Sequence, residues 1–246
     1  MLGTTEKAIR LQHQYYAETA AEYDAMHARE SDNDPNVLRL VFLLLRMVNA
    51  QSVLDVGAGT GRFVRLALNA VPDLSVRGIE PVAERIQQAV QQKGIPEGVI
   101  VQGRGEALPF ENASFDVVCS FSMLHHAPKP DAIIHEMLRV ARKGVIIVDG
   151  NRFGQGAWPL RVLKLALYKA GLWGLVDYLK TGGKRYVTSK GDGIHFSYSL
   201  FDSLDCLAEW ADQLMVIPID PRKSKSWFQP LMTASGLLAC VLKEHA

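Results

Sequence analysis

Gly57, Gly59 and Gly61 follow the run Val53-Leu54-Asp55-Val56 at alternate positions and lead into Arg62-Phe63. Such a run reads as a buried parallel strand entering a tight turn. Side chains in that turn would block both the turn and a ligand lying against its backbone. The chemistry on offer is the cradling of a nucleoside-bearing cofactor. Glu80 closes the next apolar run, 23 residues after Gly57. A carboxylate there can accept both hydroxyls of a ribose, and it equally suits the positive end of a following helix. Gly103-Arg104-Gly105-Glu106-Ala107-Leu108-Pro109-Phe110 has small residues that let an adenine edge meet backbone groups, with Leu108 to cover its face. Ser120-Phe121-Ser122-Met123-Leu124-His125-His126 would form the floor of the site. In that run His125 is the candidate general base and His126 reads as a packed loop residue. His195 and Tyr198 are further candidates that could enter from a later segment.

Positioning these residues calls for alternating strands and helices. Strands are expected at 52–56, 75–79, 99–102, 115–120 and 145–149, with helices at 62–70 and from Pro81 to Gln92. Pro81 suits a first helical position, because its missing N–H would have no partner there. Asp131 is the expected N-cap of a helix carrying Ile133, Ile134, Met137, Leu138 and Val140, closed by Lys143-Gly144. Two helices precede this core, one over 5–29 with Tyr15, Tyr16 and Tyr23, and one after Pro35 with Val37, Leu40, Val41, Leu44, Leu45 and Val48 inward. Repeated strand–helix units imply a mainly parallel sheet with right-handed crossovers. After Asp149 the alternation stops. A glycine-rich loop, a single amphipathic helix over 158–180 and a polar loop over Thr181–Ser199 are expected as an insertion above the ligand edge. The pattern resumes with a helix at 201–211 and strands at 214–219 and 236–242.

The 246 residues, 48% hydrophobic and 22% charged, suit one α/β domain with elaborations. A net charge of +1 gives no overall attraction for nucleic acid. Charge is unevenly spread, however: residues 151–190 hold eight basic residues against Asp177 alone, a local balance of +7. Three cysteines without a C-x-x-C pair, and no apolar signal core in Met1 to Arg10, lead us to expect a reducing, cytoplasmic location. The most apolar stretch, Trp158 to Leu179, is interrupted by Arg161, Lys164, Lys169 and Asp177 and cannot be an ordinary membrane span.

Taken in order, Val53 to Phe63, Glu80-Pro81, Gly103 to Phe110, Ser114-Phe115-Asp116-Val117-Val118 and Leu124-His125-His126 resemble a class I S-adenosylmethionine-dependent methyltransferase. The likeness is nearest the small-molecule subgroup that includes quinone-biosynthesis methyltransferases. It covers residues 15–150 well and 200–242 by strand pattern only. It implies a doubly wound, Rossmann-like sheet of seven strands, the last antiparallel, with an N-terminal helical lid. By the same resemblance, Asp55, Gly57, Gly59 and Gly61 line the methionine end, Glu80 holds the ribose, and Gly105 and Glu106 meet the adenine. Ala58, Pro81, Ser120 and Phe121 complete the expected cofactor contacts. Tyr16 and Tyr23 correspond to aromatic residues of the lid, or else simply pack in their helix. One departure stands out: the family often has Asp where this chain has Arg104, and arginine cannot accept a hydrogen bond from adenine. Either Glu106 takes that role or the backbone alone reads the base.

The resemblance implies methyl transfer from S-adenosylmethionine to an oxygen, nitrogen or carbon atom of a small acceptor, with four regions: a lid over 1–50, a cofactor-binding core over 51–150, a substrate cap over 151–199 and the end of the sheet over 200–246. Phe153, Trp158, Leu163, Leu167 and Trp173 are expected to shape an apolar acceptor pocket, and the +7 charge to attract an anionic group or an anionic membrane surface through 158–180. A dinucleotide dehydrogenase would prefer G-x-G-x-x-G. Amino-methyltransferases of nucleic acids would show a proline pair, and carbon-5 cytosine enzymes a Pro-Cys, where this chain has Ser120-Phe121-Ser122-Met123. No nucleic-acid partner is expected. Asp149-Gly150-Asn151 is half of a catechol-type metal site, but Ser120 to Ser122 offers no partner, so no metal is expected. A non-catalytic cofactor-binding scaffold on the same fold is the other class of protein compatible with these motifs. The oligomeric state is left open.

Overall fold

A computed structural model describes residues 2–22, 35–189, 191–219 and 233–244. Its strands are β1 (Ser52–Val56), β2 (Ser75–Glu80), β3 (Ile100–Gln102), β4 (Phe115–Phe121), β5 (Ala141–Gly150), β6 (Tyr186–Ser189), β7 (Gly193–Phe196), β8 (Gln213–Ile219) and β9 (Gly236–Leu242). Seven of them form one sheet in the order β3-β2-β1-β4-β5-β9-β8. β1 pairs in parallel with both β2 and β4, whereas β9 runs antiparallel to β5 and β8. The expected seven-stranded, mainly parallel sheet with an antiparallel last strand is therefore present. The strand order reverses between β1 and β4, which opens a crevice at their carboxyl ends.

The helices are α1 (Leu2–Thr19), α2 (Pro35–Met47), α3 (Arg62–Ala70), α4 (Ala83–Lys93), α5 (Pro130–Val140), α6 (Trp158–Lys169), α7 (Trp173–Lys180) and α8 (Leu204–Trp210). Alternating side chains send the strands' apolar residues into two layers. Val53, Val117, Cys119 and Ile146 pack with Val41, Leu45, Phe63 and Val64 of α2 and α3. Leu54, Val56, Val118 and Ile147 pack with Ile133, Ile134 and Met137 of α5 and Leu207 of α8. Coverage on both faces explains why β4 reads as a nearly continuous apolar run.

Several local expectations are corrected. α4 begins at Ala83 after an N-cap at Val82, so Pro81 stays in the loop and leaves the Val82 N–H free to reach Glu80. The cap of α5 is Lys129, Pro130 takes the first helical turn, and Asp131 lies inside it, where an acid favours the dipole. Lys143-Gly144 does not close that helix. The chain turns directly into β5 at Ala141, and Gly144 is in strand register, its missing side chain leaving room for Leu242 of β9. The expected helix over 158–180 is two helices, broken where Gly171 adopts a φ of 70°. The polar loop over Thr181–Ser199 contains the antiparallel hairpin β6–β7.

Neither α6 nor α7 has a buried residue. Their attachment is Arg152, only 7% exposed, whose guanidinium lies 4.8 Å from the Trp173 ring and 5.6 Å from that of Tyr168. Arg152 pairs with Asp202 at 2.6 Å and also donates to the Ser197 carbonyl. α1 packs across β7 and α4, so the N-terminal helix, the hairpin and the core meet above the sheet.

Candidate cofactor and acceptor site

The glycine turn is built by backbone geometry. Gly57, Gly59 and Gly61 have φ of 81°, 58° and 76°, a region that side chains disfavour. A Cβ on Gly57 would lie 2.5 Å from Cγ of Met123, and one on Gly59 would lie 2.7 Å from the Arg85 guanidinium. The turn thus exposes backbone at the mouth of an open cleft. Glu80 is 1% exposed and ties the turn to the second strand: Oε2 accepts from Gly59 N–H at 2.9 Å and Oε1 from Val82 N–H at 3.0 Å. Each carboxylate oxygen keeps a lone pair for a further donor.

The cleft wall gathers Tyr16, Asp55, Gly57, Ala58, Gly59, Glu80, Pro81, Gly105, Glu106 and Phe121. It does not include Gly61 or Ser120. Gly61 is the N-cap of α3, and its bare Cα makes room for Ile95 and Ile100. Ser120 is wholly buried in β4. Tyr23 lies outside the described residues. Glu106 is engaged by Arg104, whose Nη2 and Nε approach it at 3.1 and 3.4 Å, and the hydrogen bond raises the Arg104 pKa. That pairing favours backbone groups around Gly105, packed against Ile133 and Val56, as the surface for a base.

Sequence reasoning missed Gln12, His13 and Arg85, all on the wall, while Met123 of the expected floor run is there too. Arg85 sits in the first turn of α4, 7% exposed, 3.9 Å from Glu80 and 4.2 Å from the Tyr16 ring centroid. A cation interrupting the apolar face of α4, one turn beyond the acid, was the available signal. His13 carries a lowered pKa because burial outweighs the pull of Glu80.

The two adjacent histidines diverge. His126 lines the cleft and His125 does not. His125 Nδ1 lies 2.8 Å from Asp149 Oδ1, and Asp149 also accepts from Leu124 and Gly150 N–H. Burial alone would lower the His125 pKa, but the Asp149 carboxylate, joined by Asp192, raises it well above the ordinary value. His126 Nδ1 lies 2.7 Å from the Ile194 carbonyl, and burial together with the His125 charge lowers its pKa. Tyr198 is off the cleft wall but lines a groove that adjoins it; its hydroxyl bonds Ser203 at 3.0 Å and burial pushes its pKa up.

The acceptor pocket expected from Phe153, Trp158, Leu163, Leu167 and Trp173 is corrected. Phe153 is 1% exposed beneath the insertion, while Trp158 and Leu163 project outward at 49% and 52%. A different groove adjoins the cleft through the shared residues Ala127 and Pro128. It is lined by the rings of Tyr178, Tyr186 and Phe196 together with Lys184, Arg185 and Asp177.

A family described as a methyltransferase domain matches residues 54–148, from β1 through β5. An uncharacterized methyltransferase of Mycolicibacterium gilvum is 30% identical over 187 residues, 76% of this chain and 71% of that protein. One of Mycobacterium leprae is 29% identical over 168 residues, 68% of this chain and 61% of the relative, so the chain spans about three fifths of that relative's length. Among solved structures, a SAM-dependent methyltransferase of Thermotoga maritima superposes with a TM-score of 0.59 at 17% identity, covering 94% of this chain and 99% of the other. A Haloferax volcanii methyltransferase, solved with the Trm112 methyltransferase activator, gives 0.60 at 13% identity over 96% and 98% of the two chains. These two likenesses concern the fold. With its family match, its relative of 30% identity and its strand order, the chain belongs to the class I S-adenosylmethionine-dependent methyltransferases.

Proposed function

We propose that the chain binds S-adenosylmethionine in the glycine-turn cleft and methylates a small acceptor presented from the adjoining groove. The observation that carries this reading is Glu80, a buried carboxylate held by two backbone N–H groups with oxygen lone pairs still available. The donor set fits the cofactor: a side-chain-free turn for its amino-acid end, an acid for its ribose, and backbone near Gly105 for its base. When bound, the cofactor supplies an activated methyl group for in-line displacement.

The chain's own contribution is positioning and exclusion of water. Tyr16 of α1 stacks on Arg85 and closes one side of the cleft. Phe121, Met123 and His126 form the floor toward the acceptor groove. The rings of Tyr178, Tyr186 and Phe196 suit a flat apolar or aromatic acceptor, and Lys184 and Arg185 suit an anionic substituent on it. Oxygen, nitrogen and carbon acceptors are all compatible with this cradle. His126 and not His125 faces the cleft, so a proton leaving the acceptor has His126 as its nearest imidazole. The test is calorimetric titration with S-adenosylhomocysteine, followed by transfer of labelled methyl to a panel of aromatic acids and their neutral analogues. Lys184→Gln with Arg185→Gln should raise KM for the acids and leave the neutral analogues unaffected. Absence of any cofactor binding would overturn the reading. Cofactor binding without transfer to any acceptor would instead support a scaffold.

A second reading concerns where the acceptor is met. α6 and α7 expose Leu160, Val162, Leu163, Leu175 and Leu179 at 49–69%, beside Arg161, Lys164 and Lys180. Apolar side chains flanked by cations favour shallow contact with an anionic lipid surface. Among the described residues, no helix is long and apolar enough to cross a membrane.

A further inference from the structure

Three segments distant in sequence converge beside the cleft. The short helical turn at Leu124–His126 presents two imidazoles, the β6–β7 hairpin presents Asp192, and α1 contributes Gln12. His125 Nε2 lies 3.6 Å from Asp192 Oδ2, and His126 Nε2 lies 3.1 Å from Asp192 Oδ1. One ligating atom from each of the three residues falls within 4.8 Å of the others. We infer that His125, His126 and Asp192 form a binding site for a divalent first-row transition ion at the edge of the cofactor cleft, which shares His126 with it.

The hydrogen bonds behind the rings carry the argument. His125 Nδ1 faces the Asp149 carboxylate at 2.8 Å, and His126 Nδ1 faces the Ile194 carbonyl at 2.7 Å. Both partners are acceptors, which favours a proton on Nδ1 and turns each Nε2 toward the Asp192 carboxylate, where a proton or a shared ion can lie between them. An ion entering between the rings and the carboxylate takes the place of the protons that otherwise bridge them. A carboxylate or carbonyl behind the non-ligating ring nitrogen is the usual support of metal-binding histidines, fixing the tautomer and the ring's direction.

Spacing agrees. Two ligands on a tetrahedral ion, each about 2.1 Å from it, stand about 3.4 Å apart, and the separations of 3.6 and 3.1 Å, each to a different oxygen of Asp192, bracket that figure. The carboxylate is held in place through its backbone. Gln12 donates to the Asp192 carbonyl at 3.3 Å and accepts from Ile194 N–H, so α1 pins the hairpin turn. Imidazole nitrogens favour zinc, iron, cobalt or nickel, whereas calcium and magnesium prefer all-oxygen shells. Three protein ligands also leave a position for water or another oxygen ligand.

The full chain, stripped with a chelator and exchanged into metal-free buffer, is titrated calorimetrically with zinc and, in parallel, with cobalt while visible absorption is recorded. One ion per chain with a dissociation constant in the micromolar range or tighter is expected, with cobalt d–d bands of a low-coordinate nitrogen–oxygen site. Magnesium should give no heat. Asp192→Ala, at a turn residue whose side chain is 32% exposed, should weaken zinc at least about 100-fold while circular dichroism stays unchanged, and Gln12→Ala should weaken it less, about tenfold. Millimolar zinc affinity, or an affinity indifferent to both substitutions, overturns the site. Titration of the stripped Asp192→Ala protein with S-adenosylhomocysteine reports the cofactor cleft separately, because Asp192, unlike Gln12 and His126, is off the cleft wall.

Discussion

Glu80→Gln is the sharpest perturbation of the cofactor cleft because it keeps the side chain's shape and removes its charge. The native carboxylate accepts Gly59 N–H at 2.9 Å and Val82 N–H at 3.0 Å, and is 1% exposed. In the glutamine variant one of those N–H groups must face an NH₂ group, donor against donor. A buried unsatisfied group costs about 1–3 kcal/mol, so a stability loss of that order is expected in the free protein. Binding suffers separately. Hydrogen bonds to a charged partner contribute about 1.5–3 kcal/mol each. If both ribose hydroxyls donate to Glu80, removal of the charge and one acceptor should raise the dissociation constant about 10- to 1000-fold. Calorimetric titration with S-adenosylhomocysteine measures the second effect, and urea denaturation of the ligand-free protein the first. A folded Glu80→Gln protein that binds S-adenosylhomocysteine within about threefold of the parent would refute the ribose assignment, because nothing else in the geometry gives this acid contact with the ligand. Loss of stability with unchanged affinity would reduce Glu80 to a clamp that holds the glycine turn.

Other consequences follow from packing and charge. Gly61→Ala should destabilise by about 2–4 kcal/mol, combining a φ of 76° with a Cβ forced onto Ile95 and Ile100; denaturation midpoints check this, and cofactor affinity should fall far less because Gly61 is off the cleft wall. Asp116 is 1% exposed in side chain; burial alone would raise its pKa, but Gln51 N–H, Arg142 and Lys143 hold it below the usual carboxylate value. A depressed folded pKa gives stability that is present above the unfolded value, about 3.9, and lost as pH falls through the folded value. Asp116→Asn should therefore cost about 2 kcal/mol near neutrality and flatten the acid limb of a stability-against-pH curve. Leu160→Glu with Leu163→Glu should lower co-sedimentation with phosphatidylserine-containing vesicles at least about tenfold; unchanged partition would remove the lipid reading of α6 and α7.

What the sequence revealed and what it hid divide along a physical line. The core was legible because each strand encodes its own burial: Val53 and Leu54 face opposite layers, and both layers demand apolar side chains. The glycine turn was legible because a positive φ leaves a residue-type signature that needs no distant partner. Glu80 likewise acts through neighbours on its own strand end and on the adjoining turn. The insertion obeys a different logic. Its helices bury nothing, so their apolar residues do not mark an interior, and a reading that equated hydrophobic with inward pointed Trp158 and Leu163 at the wrong side. The groove proposed for the acceptor instead takes Tyr186 and Phe196 from a hairpin that composition presented as polar loop.

Asp192 is the clearest instance of a residue that sequence could not place. Standing alone in a turn flanked by Gly191 and Gly193, it resembles any solvated acid. Its meaning comes from Gln12 of α1, which fixes the turn from the opposite end of the chain, and from two histidines whose ring orientation is set by Asp149 and by the Ile194 carbonyl. Local spacing around Ser120 to Ser122 argued against a metal because it searched the floor loop for both halves of a site. The inferred site does not use Asp149-Gly150-Asn151 as a half; it joins His125 and His126 to Asp192 of the hairpin above. A loop tested only against its sequence neighbours will miss any site whose ligands are assembled across the crossover between core and cap.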